Sequence, residues 1–68
     1  MRSQIDEIAI QALQAIVAKM EDKAIYYEDM AEDARQHGET ALQKYYNLRV
    51  AEYHQEANFY QMKLENWR

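Results

Sequence analysis

The chain has 68 residues, no cysteine and no proline, and twelve acids against eight bases give a net charge of −4. A monomer of this length buries too little apolar surface for comfortable stability, and without cysteine neither a disulfide framework nor a thiolate zinc site can make up the shortfall. Nor is there a basic stripe of the kind that displaces counterions from nucleic-acid phosphates, so nucleic acid is not an expected partner.

The charge is uneven. Residues 1–37 carry the whole net −4, and residues 38–68 balance four bases against four acids. The most apolar stretch, Ile5 to Ala18, is interrupted by Asp6, Glu7, Gln11 and Gln14 and falls short of the roughly 20 residues of a membrane span. It also lacks the basic leader and cleavage pattern of a signal peptide, so a soluble, cytoplasmic protein is expected.

The first expected element is a helix over about residues 4–36. Ser3 is its candidate N-cap, with Asp6 and Glu7 in the first turn, where the helix dipole favours negative charge. Ile10, Leu13, Val17, Met20, Ala24, Tyr27, Ala31 and Ala34 recur at unbroken 3,4 spacing, the pattern of a helix–helix seam. Gly38, the chain's one glycine, supplies the left-handed residue that ends such a helix, within a turn at 37–40.

The second expected helix covers about residues 41–67, with Thr40 and Gln43 spaced as a capping box. Its seam is Tyr46, Val50, Tyr53, Ala57, Tyr60, Leu64 and Trp67. A short turn makes the helices antiparallel. The two seams then match when facing residue numbers sum to 77, which sets Leu13 against Leu64, Met20 against Ala57 and Ala24 against Tyr53. Large residues meet small ones, as close packing requires. The fold class is therefore all-α, an antiparallel two-helix hairpin.

Each helix carries a second stripe. On the first it is Ile5, Ala9, Ala12, Ile16, Lys19, Lys23, Tyr26 and Met30. On the second it is Tyr45, Leu48, Glu52, Gln55, Phe59 and Met62. Left in water these would make a large apolar patch, so they point to a homodimer, two hairpins forming a four-helix bundle. Ile5, Ile8, Ala9, Ala12, Ile16, Lys19, Lys23, Leu48, Glu52, Gln55, Phe59 and Met62 are the expected dimer interface. Lys19 and Lys23 would meet Glu52 or Gln55 near its centre and fix register.

Little points to catalysis. His37 reads as a helix-end residue and His54 as a half-exposed flank of the seam. Ala34 and Ala51 stand where a Glu-x-x-His diiron motif needs glutamate. Ser3 and Thr40 are spoken for as caps, and one glycine cannot build a phosphate loop. No catalytic residue, metal site or cofactor is expected.

Glu28, Asp29, Glu32 and Asp33 place like charges one turn apart toward the end of the first helix, at some cost to the helix. With Tyr26 and Tyr45 nearby they form a candidate docking patch for a protein with a basic surface, since aromatic residues dominate interface hot spots. The leading expectation is a non-enzymatic protein-binding module. Small acidic helical chains of this style serve as bacterial or phage regulators that inhibit a host protein, such as a transcription regulator or an ATPase. A structural subunit of a larger assembly is the second expectation. The topology, over the whole chain, also resembles the Rop-like plasmid copy-number regulators, dimers of helical hairpins. That resemblance implies binding to paired RNA loops and carries over no site residue.

Overall fold

The computed structural model describes residues 4–67. Helix α1 is Gln4–Gln36 and helix α2 is Thr40–Trp67, and among the described residues there is no strand. Ser3, the expected cap of α1, lies outside the described residues. The hairpin is long and thin, with Cα extents of 55 × 14 × 10 Å, a single layer of two helices.

The turn is fixed by backbone chemistry. Gly38 takes a φ of 71°, its N–H donates to the Arg35 carbonyl, and the Glu39 N–H donates to the Ala34 carbonyl. Those two bonds make a Schellman motif with Gly38 in its left-handed position. The next helix begins one residue earlier than the capping-box spacing suggests. The Glu39 carbonyl accepts from the Gln43 N–H at 2.9 Å, so Glu39, rather than Thr40, stands at the cap position and Thr40 is already helical.

The register follows the seams. Lys23 lies over the Tyr53 ring and Arg49 over the Tyr27 ring, pairs whose numbers each sum to 76, close to the expected 77. At the open end, Ala9 and Leu13 approach Trp67. Among the described residues, all seven buried ones belong to the first seam: Ile10, Val17, Ala24, Ala31 and Ala34 from α1, with Ala57 and Leu64 from α2. Four of the seven are alanines, so the helices approach closely while burying little apolar volume. Tyr46, Tyr53 and Tyr60 are half-buried, and the Tyr53 hydroxyl reaches out to accept a hydrogen bond from Arg49. Trp67 ends the seam 45% exposed.

The chain leaves far more large apolar surface outside this core than within it. Ile5, Ile8, Ile25, Leu48, Phe59 and Met62 are all more than half exposed. No described helix is long and apolar enough to cross a membrane.

Candidate functional site: one grooved face of the hairpin

The hairpin has two unlike flanks, because residues on either side of each seam differ in chemistry. On one flank a series of depressions runs along the α1–α2 boundary. The central one, about 410 Å³, is lined by Ile16, Lys19, Met20 and Lys23 of α1 and by Arg49, Glu52, Tyr53 and Glu56 of α2. Toward the open end Phe59 and Tyr60 continue it along α2. At the open end Ala9, Ala12 and Leu13 face Lys63, Asn66 and Trp67 across a third depression, which is mainly apolar. Small side chains on α1 and aromatic ones on α2 make the relief.

The opposite flank is mostly polar, with Ile25 standing there by helical spacing, 56% exposed. There His54 Nε2 approaches Glu28 Oε1 at 3.4 Å, the one side-chain hydrogen bond that joins the two helices on that side among the described residues. Gln14 and Glu21 of α1 and Gln61 of α2 share this flank by helical spacing.

Arg49 organises the centre of the groove. Its guanidinium donates to Glu52 at 2.6 Å and to the Tyr53 hydroxyl at 3.1 Å, and it lies 5.1 Å from the Tyr53 ring centroid and 5.7 Å from that of Tyr27. Desolvation pulls its pKa down, but its contacts with Tyr27 and Tyr53 and the nearby Glu52 charge more than offset this and raise it. Its Nε–H is buried with no acceptor, a cost set against those gains. The Lys23 ammonium sits 5.8 Å from the centroid of the same Tyr53 ring. Lys19, Lys23 and Glu56 enter no ion pair among the described residues, while Glu52 is held by Arg49.

The expected interface residues divide on this geometry. Ala9, Ala12, Ile16, Lys19, Lys23, Glu52 and Phe59 line the depressions, and Gln55 edges the second of them. Ile5 stands on the same flank, 77% exposed and beyond the reach of α2. Leu48 and Met62 are turned a step further outward, 59% and 62% exposed, and Ile8 points away from the groove. In place of Leu48 and Met62, the groove side of α2 carries Arg49, Glu56 and Lys63. Arg49 was legible as the residue three before Glu52 and four before Tyr53, the two offsets at which helical side chains meet.

The expected docking patch is also split. Tyr26 and Tyr45 lie on the grooved flank near the turn and join a continuous ring cluster. Tyr26 meets Tyr27 edge-on at 5.2 Å, Tyr27 lies 6.0 Å from Tyr46, and Tyr46 lies 5.5 Å from Tyr45. The acids sit around the outer side and are largely occupied. Glu28 reaches His54, and Glu32 accepts from Arg35 and Gln36. The Arg35 hydrogen bonds hold the Glu32 carboxyl down at about 2. The Asp33 carbonyl accepts from His37 Nδ1 at 2.8 Å, and that bond, with the charges of Asp33 and Glu39, raises the His37 pKa.

No group of three or more His, Asp or Glu side chains among the described residues is placed to hold a metal ion. No family model matches the chain, and no curated protein or solved structure matches it either.

Proposed function

We propose that this chain is a small non-enzymatic protein-binding module, a homodimer of hairpins that regulates or inhibits a larger protein by occupying part of its surface. One observation carries the reading: among the described residues the hairpin buries four alanines and only three larger side chains, yet leaves ten large apolar or aromatic side chains exposed. A soluble monomer rarely tolerates so much apolar surface, and the surplus suits an interface. The grooved flank is the side the second copy covers, because Ile5, Ile16 and Phe59 lie along it, while the opposite flank is mostly polar apart from Ile25. At the turn end Asp29 and the neighbouring acids, on the outer side, favour a basic protein surface, and Tyr26 and Tyr45, 58% and 51% exposed in the single hairpin, anchor that partner by the ring edges that the second copy leaves uncovered.

The test is quantitative affinity capture from the native source, comparing the wild-type chain with two variants. One reverses Glu28, Asp29, Glu32 and Asp33 to lysine. The other carries Tyr26→Ala and Tyr45→Ala. A partner retained by the wild type and lost by both variants, with helicity intact, supports the reading. Identical retention by all three removes the turn-end patch from it.

A further inference from the structure

The charges on the grooved flank alternate in an order that selects how two copies pack. We infer that a second copy of this chain seats on that flank with both turns at the same end of the bundle. The inference rests on the dimer reading above and adds the orientation to it.

With facing numbers summing to about 77, Glu56 stands level with a point between Lys19 and Lys23, and Glu52 stands just beyond Lys23 toward the turn. Between Lys63 toward the open end and Arg49 toward the turn, four charges therefore step along the flank as plus, minus, plus, minus, with the lysines on α1 and the glutamates on α2. Within one hairpin these lysines and glutamates line opposite walls of the groove without pairing with each other, and Glu52 is paired with Arg49 instead.

A twofold axis can bring two such flanks together in two ways. With the axis along the hairpin, α1 of one copy lies over α2 of the other at the same level. Lys19 and Lys23 then come over Glu56 and Glu52 of the second copy, and symmetry repeats the contact. Ile16 falls at the level of Phe59 of the second copy, so apolar meets apolar beside the charges. With the axis across the hairpin, α1 lies over α1 and α2 over α2, head to tail. Lysines then face lysines and glutamates face glutamates at the centre of a partly desolvated interface. Like charges brought together in an interface are strongly disfavoured, and opposite charges fix register. Charge complementarity thus identifies both the occupant, a second copy, and its direction. It also puts both copies' Tyr26 and Tyr45 at one end of the bundle.

The absence of cysteine makes the test clean. Glu39→Cys in the exposed turn, carrying a nitroxide spin label, reports the distance between the two turns by pulsed dipolar spectroscopy. Turns at one end give a distance below about 30 Å, from interaxial spacings of about 10 Å plus the labels. Turns at opposite ends give roughly 45 Å, which overturns the orientation and leaves the dimer standing. A chain that stays monomeric, with no dipolar modulation, overturns both. A second measurement reads the charges. Lys19→Glu with Lys23→Glu raises the self-dissociation constant by about tenfold or more, and adding Glu56→Lys, which leaves the Arg49–Glu52 pair in place, recovers part of it. In the head-to-tail arrangement the first pair leaves like charges facing like and the constant near wild type, which contradicts the inference.

Discussion

Tyr27 of α1 and Tyr53 of α2 stack across the hairpin with ring centroids 5.6 Å apart and planes 12° from parallel, and the Arg49 guanidinium covers both. Here a polar side chain of α2 ties the two helices together through aromatic faces on the grooved flank, as Lys23 of α1 does over Tyr53. Arg49→Met keeps most of the apolar stem and removes the hydrogen bonds and the cation–π contacts. Stability should fall by about 1–2 kcal/mol in urea unfolding at matched protein concentration. Arg49→Lys should recover little of it, because an ammonium cannot reach Glu52 and Tyr53 together in the planar fork. Full recovery by lysine would reduce the site to a point charge.

The core is narrow, so its few contacts carry unequal weight. Ala24 is fully buried and faces Tyr53 in the register, with no room for a larger side chain. Ala24→Leu should push the helices apart and cost about 1–3 kcal/mol. Leu64, 3% exposed, is among the few larger buried side chains, and Leu64→Ala should cost about 2–5 kcal/mol. Thermal and urea unfolding check both. A neutral Ala24→Leu would mean that the helices are not in close approach there.

Much of this seam was legible in the sequence, because 3,4 spacing over seven turns admits one helical face, and matching large to small residues fixed the register. The second face was only half legible. Tyr45, Glu52 and Phe59 recur every seven residues, and either Leu48, Gln55 and Met62 or Arg49, Glu56 and Lys63 complete a stripe with them. The apolar set is the more obvious one. Which flank of α2 shares a face with the α1 stripe depends on how the two helices turn relative to each other, a three-dimensional choice that periodicity does not encode. The groove is lined by the charged set. The acidic run was readable as charge, but not as charge already engaged by His54, Arg35 and His37.

The turn should respond to pH through His37. Its folded pKa lies above the ordinary 6.5, chiefly because its ring N–H donates to the Asp33 carbonyl and secondarily because of the nearby Asp33 and Glu39 charges. A raised folded pKa means that the protonated ring favours the folded state. The contribution is complete below pH 6.5 and is lost as pH rises through the raised value. His37→Gln should flatten the stability profile over that window while leaving the profile below pH 5 parallel to wild type. An unchanged slope in the variant would detach the turn from the titration.

Gly38 should be irreplaceable for backbone reasons alone. A Cβ there meets nothing within 4 Å, but φ is +71°, a region that costs other L-residues about 1 kcal/mol. Gly38→Ala should therefore destabilise by about 1 kcal/mol and Gly38→Asn by less, since asparagine tolerates the left-handed region. Equal losses for both would point to a steric cause instead.

We propose that a second copy of the chain covers the grooved flank. Sedimentation equilibrium of the wild-type protein at micromolar concentration tests it most directly. Coverage predicts a mass twice that of the 8.2 kDa chain, falling toward a single chain when Ile16 and Phe59 are both replaced by aspartate. A wild-type protein that sediments as one chain throughout that range would contradict it.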